Sequence, residues 1–207
     1  MSTKPRWNSN LHAFDALLRR VSTGAKRGLD VGCGEGETSR MLRRFTTSVV
    51  ALDPDEPSIA EARSFADDIE YLVGDLASIN LPKASFDVVS AVAMLHHVEH
   101  GEALRLLADL VAPGGRLLIV GLAKSHSPRD CARDAWDTVA IRRQTITNGV
   151  WETPAPKVWP PPLTYAETRT ASLAVLHDAD FRRVPYFRYA LTWINREIRP
   201  TPASPSG

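Results

Sequence analysis

The sequence predicts an α/β fold: an open, doubly wound and mostly parallel sheet that ends in an antiparallel hairpin. Two observations predict it. Over residues 27–121, short apolar or β-branched segments alternate with segments of helical periodicity, as strands and crossover helices do in parallel sheets. Two strand-like segments, 181–186 and 189–194, then lie close together near the C-terminus, which indicates a hairpin.

The first predicted elements alternate between helices and strands. Residues 9–21 form an amphipathic helix, because apolar residues recur there at helical spacing, namely Leu11, Phe14, Leu17, Leu18 and Val21. Five strands share a short, apolar or β-branched composition and comprise residues 27–31, 48–52, 69–73, 86–92 and 116–120. The helices between them comprise residues 38–45, a helix with Pro57 in its first turn, and residues 102–111, which Pro113-Gly114-Gly115 terminates.

The alternation stops after residue 121. Residues 122–163 are a long excursion, rich in proline and tryptophan after Val150, in which a helix begins near Ser127. One apolar side of that helix is predicted to comprise Cys131, Ala135, Trp136, Val139 and Ala140. Thr164-Tyr165-Ala166-Glu167 is a capping box that predicts a further helix.

These elements predict one domain over residues 1–199, followed by a disordered tail at 200–207. Within the domain we distinguish an N-terminal helical segment (1–26), a ligand-binding core (27–121), an inserted cap (122–163), and a final helix with the hairpin (164–199). The insertion is where specificity is expected, because loops and insertions vary on a shared scaffold.

Composition narrows the class of protein. The formal net charge is +1, so no electrostatic feature favours a nucleic-acid partner. Cys33 and Cys131 form neither a disulfide framework nor a metal-binding spacing, which favours reduced thiols and no metal. No segment has the apolar length of a signal peptide core or a membrane span. We expect a cytoplasmic protein, monomeric or homodimeric, that acts on a small molecule.

The segment Gly28-Leu29-Asp30-Val31-Gly32-Cys33-Gly34-Glu35-Gly36 is the most informative in the chain. It predicts a strand, a tight glycine turn and a helix start, an arrangement that brings backbone N–H groups close to a ligand. The spacing is G-x-G-x-G, whereas a dinucleotide site has G-x-G-x-x-G and would place glycine at Glu37. Glu35 would repel a pyrophosphate and tolerate a cationic ligand.

Carboxylates follow three of the predicted strands. Asp30 precedes the glycine turn, Asp53 ends the second strand, and Asp75 ends the third. Ligands of open α/β sheets bind outside the carboxyl ends of the strands, where a carboxylate accepts hydrogen bonds from ribose hydroxyls. Asp53 is placed for that role, and Asp75 is placed for an exocyclic amine, with the Leu76 backbone and side chain beside it. The alternative for each carboxylate is an ordinary solvated loop residue.

Together these motifs resemble the class I S-adenosylmethionine-dependent methyltransferases. The residues that carry the resemblance are Leu29–Gly36, Ala51-Leu52-Asp53-Pro54, Gly74-Asp75-Leu76, Phe86–Val89, Leu95-His96-His97-Val98 and Leu110–Leu117. The Leu-His-His-Val segment is similar to that of small-molecule methyltransferases. The resemblance implies a seven-stranded sheet with a reversed final strand. It also implies S-adenosyl-L-methionine as cofactor and S-adenosyl-L-homocysteine as product.

The resemblance also implies roles for individual residues. Asp53, with Pro54 after it, would hold the ribose, and Asp75 with Leu76 would hold the adenine. The turn at Gly32, Gly34 and Gly36, with Asp30 before it, would run beside the methionine moiety of the cofactor. The backbone at Ala91 and Ala93 would receive its ammonium group.

Methyl transfer by in-line displacement needs placement of the acceptor and, for some acceptors, a base. His96 and His97 are candidates for the base, and the alternative is that the pair only structures its loop. Candidates for substrate contacts are His12, His126, Trp136, Trp151 and Trp159, which favour a small, partly apolar metabolite. The alternative for the tryptophans is that they pack the insertion onto the sheet.

Two other functions remain open from sequence, and a third is disfavoured by a missing motif. A non-catalytic S-adenosylmethionine-binding module or partner subunit would keep the same cofactor motifs. An NAD(P)-dependent oxidoreductase would need a glycine at the position of Glu37. An adenine methyltransferase would be expected to carry Asp/Asn-Pro-Pro-Tyr after the fourth strand, where this chain has Ala93-Met94-Leu95-His96.

Overall fold

The fold is a seven-stranded sheet with helices on both faces, in the strand order β3-β2-β1-β4-β5-β7-β6. The computed structural model describes residues 8–21, 24–66, 68–148 and 160–196. The strands are β1 (Arg27–Val31), β2 (Ser48–Asp53), β3 (Glu70–Val73), β4 (Phe86–Val92), β5 (Val111–Leu122), β6 (Asp180–Val184) and β7 (Arg188–Ile194). The helices are α1 (Ser9–Leu18), α2 (Glu37–Arg43), α3 (Glu56–Phe65), α4 (His100–Leu110), α5 (Pro128–Asn148) and α6 (Tyr165–Val175).

The predicted fold is confirmed, including the antiparallel hairpin. Strands β1 to β5 pair in parallel, whereas β7 runs antiparallel to both β5 and β6. The chain moves outward from β1 to β3 and then returns to pair β4 with the other side of β1. This reversal creates a switch point outside the carboxyl ends of β1 and β4, which is where open α/β sheets bind ligands. The predicted disordered tail lies outside the described residues.

The strands have two buried faces, because helices cover both sides of the sheet. On one face, α1, α2 and α3 place Phe14, Leu42 and Ile59 in a cluster with alternate strand residues such as Val88 and Leu118. On the other face, Leu104 and Leu107 of α4 pack against the intervening strand residues, among them Val89 and Ile119. Burial of each such side chain stabilises the fold by about 1.5–3 kcal/mol. This two-sided burial explains why β4 is almost entirely apolar.

Strand β5 begins earlier than predicted. Val111 pairs with Phe86, the register then shifts, and regular pairing resumes between Val88 and Arg116. The Pro-Gly-Gly segment predicted to end the preceding helix therefore lies inside an irregular strand, as a bulge. Asn195 closes this bulge, because its backbone exchanges hydrogen bonds with Gly114 and Gly115 and its amide donates to the Val111 carbonyl.

Helix α5 presents a different face to the domain from the one predicted. The side chains of Trp136 and Val139 are 75% and 65% exposed, so the expected apolar side does not pack on the described residues. The acidic side of the helix faces the hairpin instead. Arg183 forms ion pairs with Asp130 and Asp134, and the Phe187 N–H donates to Asp137. Charge pairing, which apolar periodicity does not reveal, orients this helix.

The start of α6 agrees with the capping box in the sequence. The Thr164 hydroxyl accepts from the Glu167 N–H, and the Glu167 carboxylate accepts from the Thr164 N–H at 2.8 Å. A backbone bridge between Lys124 and Thr164 fixes this start beside the end of β5. None of the helices in the described ranges is both long and apolar enough to span a membrane.

Gly121 of β5 leaves room for an aromatic ring. It pairs directly with Tyr189 of β7, and a Cβ atom at Gly121 would lie 2.3 Å from the Tyr189 ring. Tyr189 itself is buried and stacks on Phe181 with ring centroids 5.0 Å apart. The glycine is therefore required by close approach of the ring.

We expect Gly121→Ala to lower the free energy of unfolding by about 3 kcal/mol, because the ring must leave its position in a packed core. Chemical denaturation measures this change. Gly101→Ala is the matched control, since its nearest neighbours lie at 3.5 Å and it occupies the first turn of α4. That control should be neutral or stabilising by roughly 0.5–1 kcal/mol. Equal effects of the two substitutions would contradict the packing argument.

Candidate functional site

The glycine turn follows β1 at the switch point of the sheet. Gly32, Gly34 and Gly36 all have positive φ angles, of 72°, 52° and 76°. A Cβ at Gly32 would also lie 2.7 Å from the Met94 Cβ, so both backbone conformation and space require glycine there. A Cβ at Gly34 would meet no atom within 4 Å. The turn therefore faces open space at Gly34.

Asp30 lies beneath this turn and not on its surface. Its side chain is fully buried, and its carboxylate accepts hydrogen bonds from three hydroxyl groups, those of Thr38 (2.6 Å), Ser39 (2.7 Å) and Ser90 (2.8 Å). Burial raises the pKa of Asp30, and the three hydroxyls act against that rise. Asp30 therefore supports the turn from below, and its predicted part in cofactor binding stays a prediction.

Asp53 lies at the rim of the cleft and faces the turn. One carboxylate oxygen accepts the Gly34 N–H at 2.8 Å, and the other accepts the Asp55 N–H at 2.9 Å. The structure therefore brings together Asp53 and the turn, which are nineteen residues apart in sequence. Because an ionised carboxylate has about four acceptor positions, those not used by the backbone can receive hydroxyl groups. Pro54 follows it and is exposed.

The other predicted cofactor residues lie on the same edge of the sheet. Asp75 is an exposed residue in the loop after β3, where its carboxylate accepts the Ala77 N–H, and Leu76 beside it packs on the core. Ala91 is buried near the end of β4. Ala93 has a positive φ of 56°, and its N–H donates to the Val120 carbonyl at 2.7 Å.

The two adjacent histidines form a 3₁₀ turn, Leu95–His97, directly after β4. Their ring centroids are 4.1 Å apart; His96 is half-buried and His97 is exposed. Burial, the charge of His97 and the charge of Arg188 lower the pKa of His96 to about 4. Its buried Nδ1 atom has no hydrogen-bond partner among the described residues. His96 is therefore neutral at physiological pH and has a free acceptor nitrogen if Nε2 carries the proton.

A cavity of about 200 Å³ adjoins His96 at the carboxyl ends of β4 and β5. Its exposed surface is mainly apolar, and its lining comprises Leu95, His96, Val98, Glu99, His100, Leu122, Pro162, Leu163, Thr168 and Tyr189. Part of the inserted segment and part of the hairpin thus contribute to one pocket. Sequence analysis singled out His96 but did not identify Leu163 or Tyr189, because a backbone contact with Lys124 and the β5–β7 pairing place these two residues.

The predicted substrate residues are dispersed. His12 is exposed on α1, and its ring contacts that of Tyr186 edge to face, with centroids 5.6 Å apart. His126 is exposed just before α5. Trp136 points away from the cavity into solvent, as described above, while Trp151 and Trp159 lie outside the described residues.

Arg188 is a residue of this edge that sequence analysis missed. It opens β7 opposite Leu122, and its guanidinium donates to the Asn10 side-chain oxygen and to the Tyr186 carbonyl. Burial lowers the pKa of Arg188 to about 10, so the group stays charged at neutral pH. No local motif marks the residue, since its position depends on the register of the hairpin. Across the described ranges, no group of three or more His, Cys, Asp or Glu side chains could hold a metal ion.

Comparisons with known proteins agree with this geometry. Residues 29–119 match the family model described as a methyltransferase domain. The chain is 40% identical over 191 residues to an uncharacterized methyltransferase of Mycobacterium tuberculosis, covering 90% of this chain and 96% of the relative. It is 34% identical over 132 residues to the malonyl-[acyl-carrier protein] O-methyltransferase of Pseudescherichia vulneris, which covers 62% of this chain and 51% of that protein.

A solved structure has the same fold. The S-adenosylmethionine-dependent methyltransferase of Aquifex aeolicus superimposes with a TM-score of 0.61 over 88% of this chain and 89% of its own. The two sequences are 16% identical, so this likeness concerns the fold alone.

The environment of His96 predicts a dependence of stability on pH. Its pKa is about 4 in the folded chain, against about 6.5 for an unperturbed histidine. Between these values the unfolded chain binds more protons, so the free energy of unfolding falls as the pH falls. We expect this residue to remove about 2 kcal/mol of stability between pH 7.5 and pH 5.

Urea titrations of the wild type, His96→Gln and the control His126→Gln, an exposed histidine, at several pH values measure the effect. Wild type and His126→Gln should lose more stability than His96→Gln as the pH falls. Other groups that titrate in this range, such as His100, are common to all three proteins and cancel. Parallel curves for all three would contradict the buried environment of His96.

Proposed function

We propose that this chain, which belongs to the methyltransferase family, methylates a small, partly apolar metabolite with S-adenosylmethionine as the methyl donor. The observation that carries this proposal is the pairing of Asp53 with Gly34 across a turn that faces open space. A mainly apolar cavity lies two strands away from that turn, beside His96. Its volume suits a small acceptor and not a polymer.

In this proposal S-adenosyl-L-methionine lies across the carboxyl ends of β1, β2 and β4. Asp53 accepts hydrogen bonds from the ribose hydroxyls, and Asp75 accepts one from the adenine amine beside Leu76. The backbone of Gly32, Gly34 and Gly36 faces the methionine moiety. The backbone near Ala91 and Ala93 receives the ammonium group. Carboxylates at this rim suit a ligand with sulfonium and ammonium charges.

Asp30 has a supporting role in the proposal. Its carboxylate holds the hydroxyls of Thr38 and Ser39 at the start of α2 and that of Ser90 in β4. The turn between β1 and α2 is therefore fixed before a ligand arrives. A site that is organised in advance loses less conformational entropy on binding.

The cofactor supplies a methyl group that its positive sulfur already activates, so the task of the protein is placement and exclusion of water. The cavity walls at Leu95, Leu122 and Leu163 would exclude water from the acceptor. We assign removal of an acceptor proton to the histidine pair. His96 is neutral with an unpartnered ring nitrogen, and His97 is the second candidate. A base of low pKa suits an acceptor whose reacting group is itself acidic.

We expect Asp53→Ala to weaken binding of S-adenosylhomocysteine at least about tenfold, because it removes charge-assisted hydrogen bonds to the ribose. Isothermal titration calorimetry with S-adenosylmethionine, S-adenosylhomocysteine and NADH measures the affinity and the class of cofactor. Asp109→Ala is the matched control, since this exposed carboxylate on α4 pairs with Lys83 on the surface. An unchanged affinity in Asp53→Ala would refute the ribose contact, and binding of NADH alone would refute the function.

Transfer itself is tested with S-adenosylmethionine that carries an isotopically labelled methyl group and a deproteinised bacterial metabolite extract. We expect label in a small, extractable product. In His96→Gln or His97→Gln, loss of a general base should slow transfer by about 100-fold or more. Full activity in both variants would show that the pair only structures its loop. Cofactor binding without any labelled product, across extracts of differing composition, would favour a non-catalytic binding module.

A further inference from the structure

Three residues with polar side chains lie where the hairpin meets the carboxyl end of β5. Arg188 opens β7 opposite Leu122, the last residue of β5. Tyr165 opens α6, and its N–H donates to the carbonyl of Lys124, two residues beyond Leu122. His96 follows β4, the strand that neighbours β5, and lines the same cavity as Leu122. The topology therefore places all three at one corner of the sheet edge.

Two of these side chains have buried polar atoms without partners. The Tyr165 hydroxyl oxygen and the His96 Nδ1 make no hydrogen bond within the described residues. Folded proteins satisfy the great majority of such buried atoms, and exceptions concentrate at sites that a ligand completes. The Tyr165 ring also packs against the guanidinium of Arg183, at 4.3 Å, so the position of the hydroxyl is fixed.

Arg188 contributes a positive charge that no carboxylate neutralises in the described part of the chain. Its contacts are the neutral oxygens of Asn10 and Tyr186. Burial lowers the pKa of His96, and the charges of His97 and Arg188 lower it further. Burial raises the pKa of Tyr165 to about 12; the charges of Arg183 and Arg188 act against that rise, and those of Asp134 and Asp137 add to it. A partly buried cation without a counter-ion is unfavourable, and an anion placed beside it would relieve that cost.

We propose that Arg188 and the Tyr165 hydroxyl bind a carboxylate group of the methyl acceptor, with His96 beside it. This inference rests on the proposed function and adds the chemical class of the acceptor. The planar guanidinium fork matches a planar carboxylate, and the tyrosine hydroxyl adds a further donor. The apolar residues Leu122 and Leu163 line the neighbouring cavity, which suits a carboxylate attached to an apolar body.

The position of Arg188 favours the acceptor over the cofactor as its ligand. Strand β7 lies three strands from β1 in the sheet, which corresponds to about 14 Å at the usual spacing of strands. The glycine turn and Asp53 belong to the β1 and β2 side. A carboxylate bound at Arg188 would also neutralise a positive charge that lowers the pKa of His96. Binding of the acceptor would therefore raise that pKa and make His96 a stronger base.

The inference is tested by fluorine NMR with 4-fluorobenzoate and its neutral counterpart 4-fluorobenzamide, in the presence of S-adenosylhomocysteine. We expect the wild type to bind the benzoate at least about tenfold more tightly than the benzamide. Arg188→Gln should abolish that preference and leave the affinity for S-adenosylhomocysteine unchanged. Arg182→Gln is the matched control, because this exposed arginine of β6 pairs with Asp180 and belongs to none of the contacts described here, and it should keep the preference.

Tyr165→Phe separates a binding role from a structural one. It removes a buried hydroxyl without a partner, so it should not lower the melting temperature, yet it should weaken benzoate binding several-fold. Equal affinity of the wild type for the two probes, or a full preference in Arg188→Gln, would overturn the inference. So would tighter binding of 4-fluorophenyl phosphate, or a loss of S-adenosylhomocysteine affinity in Arg188→Gln. Failure of the wild type to bind S-adenosylhomocysteine would instead overturn the proposed function.

Discussion

The carboxylate of Asp30 links β1, β4 and the start of α2, and the arrangement at the carboxyl ends of the strands depends on this link. It is fully buried, yet it accepts hydroxyl groups from the start of α2 and from β4, and it belongs to β1. An isolated buried carboxylate would be costly, so these hydroxyls and the charge hold one another in place. The glycine turn lies directly above, between β1 and α2. The hydrogen bonds of Asp30 fix the geometry of this turn. They thereby also fix the position of Gly34, whose N–H donates to Asp53.

The edge of the sheet divides into two parts with different chemistry. Over β1, β2 and β3, backbone amides and the carboxylates of Asp53 and Asp75 suit a nucleoside whose other end is cationic. Over β4, β5 and β7, an apolar cavity, two histidines and Arg188 suit a different molecule with an apolar body. Acidic groups thus lie on one side and a basic group on the other. Such a division would keep the methyl donor over β1 to β3 and the methyl acceptor over β4 to β7, and their reacting atoms would meet near the end of β4.

Local patterns in the sequence predicted most of the fold, and they also predicted that Asp53 and the glycine turn lie at the same edge of the sheet. The predicted and observed strands β1 and β4 coincide, and most other boundaries differ by three residues or fewer, because apolar periodicity and caps are local signals. The early start of β5 was missed, since a bulge over Pro113 depends on distant Asn195. The orientation of α5 was missed because it depends on Arg183. Arg188 and Tyr165 were missed because contacts distant in sequence place them at the end of β5: the pairing with β7 for Arg188 and the backbone contact with Lys124 for Tyr165.

Helix α5 and the hairpin are joined by charge and not by apolar packing. Arg183 pairs with Asp130 and Asp134, and the apolar side of the helix faces solvent. Arg183 is 12% exposed, and salt screens a partly buried ion pair much less than an exposed one. The Arg183 guanidinium therefore holds α5 against the hairpin at ionic strengths that would weaken pairs on the surface. Its loss would weaken this hold, while the packing of Leu104 and Leu118 in the sheet core would stay intact.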